Sequence, residues 1–262
     1  MKTAIIVSGV IRNMINASSS WTFNGDYFLI ADKNIYNTQS RKKIRSVFNT
    51  IESDIENCNV DFMSIYIPLD NLNRTIFLDQ NIYHEIDIHP TINMAWKWKL
   101  SYNIIQTYHK FFNYDKILIL RPDIFINPLT SRDLIDNIVI RKNTIYSTKK
   151  IILEPDTKKE IANDVFLLFD MDVFKKISYF YDYYIENYNS TLLIDGYDVH
   201  SLLAKFIIEN DLNVSDECKD FMFTILRENV TDFMFENGKL KPEYDFWQLY
   251  EKNAEWLKNN IL

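Results

Sequence analysis

Apolar residues along the chain fall into short unbroken runs, separated by longer stretches in which they recur every three or four positions. "TAIIVSG" (Thr3 to Gly9) is such a run ending in Ser-Gly, the pattern of a strand buried on both faces that enters a loop. "DYFLIAD" (Asp26 to Asp32) is a second, ending on a carboxylate. From Thr38 to Asn57, Ile44, Val47, Phe48, Ile51 and Ile55 keep helical spacing and predict an amphipathic helix. "DFMSIYIP" (Asp61 to Pro68) predicts a third strand closed by proline, with a short one after it at Ile82 to His89. Met94, Trp98, Tyr102, Ile105, Tyr108 and Phe112 then mark a helix over Thr91 to Phe112, with Thr91 or Asn93 as its N-cap.

"DKILIL" follows that helix directly as a strand, and "NTIYS" and "DVFLLFD" read as two more. Helices are expected from Val173 to Tyr188, from Val199 to Asn210, and in the tail from Pro242 to Leu262. Strand, helix, strand in repetition argues for a doubly wound α/β sheet with right-handed crossovers, mixed but mostly parallel, flanked by helices and followed by a helical tail. No boundary divides the chain. Residues 1–262 read as a single domain: a ligand-binding half at 1–130, a second half at 131–215 and a helical extension at 216–262.

Composition narrows the class. The chain has 262 residues, 47% hydrophobic and 25% charged, enough apolar material for one large core. Four glycines and six prolines leave no room for Gly-rich linkers or low-complexity segments. No stretch approaches the ~18 apolar residues of a membrane span. The apolar run before Ser8 is too short for a secretory signal. Cys58 and Cys218 lie far apart without a partner pattern, so neither a disulfide framework nor a zinc site is expected, and the reading is cytoplasmic. A net charge of −7 opposes bulk attraction to nucleic acid. A local basic groove would have to come from "SRKKIR" (Ser40 to Arg45), "MAWKWK" (Met94 to Lys99) and Lys149-Lys150; the plainer reading is solvated helix faces.

In an open α/β sheet, ligands bind beyond the carboxyl ends of the strands where strand order reverses. Four polar clusters fall at expected strand ends: Ser8-Gly9 with Arg12, Asp32, Arg121 with Asp123, and Asn163-Asp164 at the entry of its strand. The glycine signatures of a dinucleotide site and of a P-loop are missing, as are a G-x-S-x-G elbow and paired zinc-ligating histidines. Carboxylates, arginines and backbone amides remain, and they suit a ligand bearing a diphosphate and hydroxyls. Arg121 offers a planar fork for phosphate oxygens. Asp123 offers a ligand for a divalent cation, Mn²⁺ or Mg²⁺, bridging the diphosphate. Each has a plainer reading too: Arg121 and Asp123 as an ion pair closing a strand, Asp164 as a turn residue, and Asp195 or Asp198 as helix N-caps.

"AIIVSGVIRN", "YDKILILRPDIFI", "NDVFLLFDMDVF" and an acidic turn before a late helix, in that order, resemble GT-A-fold glycosyltransferases of the bacterial polysaccharide and viral type, over residues 3–210. The resemblance implies a nucleoside-diphosphate sugar, such as a UDP-sugar, held over the first half of the sheet. It sets "LRPDI" where the family carries a metal-binding D-x-D, with Arg121 in the first aspartate position and Asp123 retained. By the same resemblance, Ser8, Gly9, Arg12 and Asp32 look like nucleotide contacts, and Asn163 and Asp164 like contacts to the donor sugar or the acceptor. Asp195 or Asp198 looks like the catalytic base of inverting members. The acceptor is a hydroxyl, on a glycan or, in a phage enzyme, on the hydroxymethylated bases of DNA. A nucleotidyltransferase acting on sugar phosphates, or a non-catalytic sugar-nucleotide-binding protein, is the alternative on the same sheet.

Overall fold

A computed structural model describes residues 2–10, 13–32, 62–63, 92–127, 132–148, 150–152, 160–162, 165–187, 199–227 and 230–260. The main sheet has seven strands: β1 (Thr3–Val10), β2 (Asp26–Asp32), β3 (Phe62–Met63), β4 (Lys116–Leu120), β6 (Thr144–Ser147), β9 (Phe166–Phe169) and β10 (Asn213–Ser215). Their order is β10-β6-β9-β4-β1-β2-β3. Neighbours pair in parallel except where β9 meets β4 and β6, so within this sheet β9 runs against the rest. This is the mixed, mostly parallel α/β sheet expected from the chain.

The central strands β1, β4 and β9 are mainly apolar because both faces of the sheet are covered there. Successive side chains point to opposite faces. Ala4 and Ile6 of β1 therefore join Phe28, Ile30, Ile117, Ile119, Leu167 and Phe169 in one core, while Ile5 and Val7 join Tyr27, Leu118, Leu120, Phe166 and Leu168 in another. Each fully buried Ile, Leu or Phe contributes roughly 1.5–3 kcal/mol relative to exposure.

Helices α2 (Ile92–Phe112), α4 (Met171–Ser178), α5 (Phe180–Asn187) and α6 (Val199–Glu209) close the first face, with Trp98, Ile105, Phe174, Phe180 and Phe206 inside it. The second face is closed by α1 (Met14–Ser18), α3 (Arg132–Asn137), α7 (Phe246–Asn260) and a ribbon in which β5 (Ile124–Ile126) pairs antiparallel with β11 (Phe223–Ile225). Two short antiparallel pairs complete the description, β7 (Lys150–Ile152) with β8 (Glu160–Ala162) and β12 (Phe235–Glu236) with β13 (Lys239–Leu240).

Several details correct the reading from sequence. The reversed β9 breaks a simple doubly wound order: a strand buried on both faces has the same apolar run whichever way it points. The helix expected over Val173 to Tyr188 is two helices, α4 and α5, parted at Tyr179. Asn93 lies inside α2 and does not cap it, and the tail helix begins at Phe246. "MAWKWK" is not the solvated helix face of its plainer reading. Trp98 and Lys97 are buried, at 1% and 6% exposure, and Lys99 donates to both carboxylate oxygens of Asp182 at 2.6 and 2.8 Å. The helix of Thr38 to Asn57, the short strand of Ile82 to His89 and "SRKKIR" lie outside the described residues, as does the third strand apart from Phe62–Met63.

Candidate functional site

From β1 the chain moves outward to β2 and β3, and β4 then returns to the opposite side of β1. The order of strands thus reverses between β1 and β4, the position where open α/β sheets bind ligands beyond their carboxyl ends. The register sets Val7 beside Leu120, Gly9 beside Ala31 and Val10 beside Asp32. Ser8-Gly9, the backbone of Asp32, and Arg121 with Asp123 are therefore gathered at one rim, from three adjacent strands.

Local sequence explains how β4 ends there. Pro122 has no N–H to give to a ladder, so pairing stops after Leu120. The chain turns at Pro122-Asp123 and resumes as β5, which leaves the main sheet for β11. This turn is pinned on both sides. The Asp123 carbonyl accepts from the Leu226 amide at 2.8 Å, and the Ile124 carbonyl accepts from Trp21 Nε1 at 2.8 Å. Across from it, Gly9 has φ of +146°, and a Cβ built there would stand 3.0 Å from Pro122 Cδ. Glycine meets both demands, the unusual backbone angle and the close approach.

Arg121 and Asp123 face each other. Arg121 Nε donates to Asp123 Oδ1 at 3.0 Å and Nη2 donates to Oδ2 at 2.8 Å, a two-pronged pair. Its burial is one-sided: the Asp123 side chain is 2% exposed, the Arg121 side chain 33%. The carboxylate is thus the buried anchor, and the guanidinium is the charge that meets the rim.

Beside this pair, Ser8 is 6% exposed and its hydroxyl has no hydrogen-bond partner among the described residues. Reasoning from sequence named Ser8 but missed two companions. Thr148, just past the carboxyl end of β6 on the same rim, is 5% exposed, and the Asn13 side-chain nitrogen, in the loop that follows β1, is buried; neither the Thr148 hydroxyl nor that nitrogen has a partner among the described residues. Native proteins pair their buried polar groups with protein, ligand or water. The signal for Thr148 was available: "TIYST" is an apolar strand ending in hydroxyl residues, as β1 ends in Ser-Gly. Arg12, Asn163, Asp164, Asp195 and Asp198 lie outside the described residues, and of Asp32 only the backbone is described.

No helix among the described residues is long and apolar enough to cross a membrane. No family model matches the chain, and no curated protein matches it. Among solved structures, the chain is similar to a glycosyltransferase involved in the glycosylation of the major capsid of PBCV-1. The identity is 11% and the TM-score 0.39, over 97% of this chain and 100% of that one. A likeness at that level decides neither donor nor acceptor.

Proposed function

We propose that this protein transfers a glycosyl unit from a nucleoside-diphosphate sugar to a hydroxyl acceptor. The observation that carries the reading is the coincidence at the reversal between β1 and β4. The end of β1 offers a backbone without a side chain at Gly9 and, at Ser8, a hydroxyl with no partner among the described residues, and the end of β4 offers a half-buried guanidinium at Arg121. Backbone groups, a hydroxyl donor and a planar cation are what a diphosphate requires. The family resemblance of "SGVIRN" and "LRPDI" supports the same donor.

In the reaction, the bond between the anomeric carbon and the terminal phosphate oxygen breaks, and its electron pair leaves with the diphosphate. The acceptor oxygen forms the new bond to that carbon and gives up its proton. Charge builds on the departing diphosphate, and a fixed guanidinium there stabilises it more than it stabilises the ground state. With inversion, a carboxylate takes the acceptor proton, and Asp164, Asp195 and Asp198 are the residues we assign to that duty. We take the acceptor to be a saccharide, because Lys97 and Trp98 belong to the core and Lys99 is paired, which removes one of the basic segments a DNA groove would need.

The test is a panel of UDP-, GDP-, ADP- and dTDP-sugars incubated with the full chain, scored for release of the free nucleoside diphosphate with and without mixed saccharide acceptors. Release from one class of donor, increased by an acceptor, is the expected result. Binding of a sugar nucleotide with no turnover under any condition would favour a non-catalytic binding protein, and no binding at all would sink the reading.

A further inference from the structure

The resemblance to metal-dependent glycosyltransferases puts a divalent cation on Asp123, and the geometry of Asp123 does not fit one. Both of its oxygens accept from Arg121, at 3.0 and 2.8 Å, and its side chain is 2% exposed. A hard cation must approach carboxylate oxygens to about 2.0–2.6 Å. Here it would have to do so against a guanidinium that already faces both oxygens, and two cations at that range repel strongly.

We infer that Arg121, held by Asp123, takes the role a metal ion has in related chemistry, so that the diphosphate is gripped without a divalent cation. Asp123 is then a positioning residue, because it fixes the guanidinium and does not touch the ligand. Its burial is what makes it effective, since a carboxylate anchored inside the turn holds the fork in one orientation before the ligand arrives. The Ser8 hydroxyl is a second element of the grip. It is nine-tenths buried, without a hydrogen-bond partner among the described residues, and one strand away from Arg121. The inference rests on the donor diphosphate lying at the reversal between β1 and β4.

The decisive measurement is calorimetric titration of UDP, GDP, dTDP and CDP into the full chain, once in EDTA and once in Mn²⁺. One diphosphate is expected to bind with a Kd that agrees within about twofold between the two buffers. Arg121→Ala should weaken that binding tenfold or more, with Arg121→Lys between it and the wild type, because lysine keeps the charge and loses the fork. Asp123→Asn should also weaken it, equally in both buffers. Binding that appears only with Mn²⁺, or that tightens tenfold with it, would overturn the inference while leaving the diphosphate site standing. Failure of every diphosphate in both buffers would take down the proposed function as well. Should Asp123→Asn not fold, the wild-type comparison of EDTA with Mn²⁺ still decides.

Discussion

At position 8 the side chain is 6% exposed and its hydroxyl meets no partner among the described residues. Such a group costs roughly 1–3 kcal/mol of unmet desolvation. Ser8→Ala should therefore raise stability by about 1 kcal/mol in urea denaturation while weakening diphosphate binding. A loss of stability instead would mean that the hydroxyl serves the fold. Gly9→Ala has the opposite sign. It forces an L side chain to φ of +146° with its Cβ 3.0 Å from Pro122 Cδ. The expected cost is roughly 1–3 kcal/mol, read from the urea midpoint, with diphosphate binding weakened as Pro122 shifts between Arg121 and Asp123. These positions were legible because each interrupts or ends an apolar run with a polar or small residue. The clamp itself was not. Spacing permits Arg121 and Asp123 to meet, but it does not say that the Nε–Nη2 edge pairs with the carboxylate or that the carboxylate is the buried partner. The turn that carries Asp123 is pinned through its backbone by Leu226 and Trp21, far away in the chain.

Elements show the same division between local and distant causes. α4 and α5 read as one helix because Val173, Phe174, Ile177, Phe180 and Tyr184 keep their spacing straight through the break, and all are buried. The break is made by the backbone: the Tyr179 amide donates to the Lys176 carbonyl at 3.0 Å, a tighter turn that closes α4. The start of α4, by contrast, is local chemistry. Asp170 accepts from the Val173 amide at 2.8 Å through its side chain, with an extended backbone at φ of −87°. Asp170→Ala should cost about 1 kcal/mol, and Asp170→Asn should retain most of the cap; urea midpoints of the two variants provide the check, and equal losses would argue that the side chain's charge, more than its hydrogen bond, matters there. The direction of β9 is a distant cause again. Its order in the sheet depends on pairing with β4 and β6, which no run of four buried residues encodes.

Across the whole molecule the two ends of the sheet differ. At the amino end, Asp26 accepts from the Tyr114 hydroxyl at 2.7 Å and pairs with Lys2 at 2.8 Å, and Lys2 also lies 4.0 Å above the Phe112 ring. That end is closed by satisfied contacts, whereas at the carboxyl end the hydroxyls of Ser8 and Thr148 have no partner among the described residues. The closed parts of the molecule make a prediction about alkaline pH. Cys218 is fully buried in the core of the second face, and desolvation, with Glu217 nearby, pushes its thiol from 9.0 up to about 12. Burial likewise raises Tyr27, and burial with the Asp26 hydrogen bond raises Tyr114. A group raised on folding supports the native state below its unfolded pKa and loses that support as pH climbs toward the folded value. Lys116 acts in the other sense. Its ammonium is buried under the carbonyls of Ile135 and Asp136, desolvation lowers its pKa, and the cost of keeping it charged eases as pH rises. With Tyr183, raised by burial and the Glu209 carboxylate, four raised thiol and phenol groups oppose one lowered group, so stability should hold up to about pH 9 and fall above it. Cys218→Ala removes the first of these to titrate, since a thiol ionises before a phenol in the unfolded chain. Urea midpoints at pH 7, 9 and 10 should then decline less steeply in the variant than in the wild type. Parallel declines would show that the thiol is not what the alkaline limb reports, and would shift that role to Tyr27, Tyr114 and Tyr183.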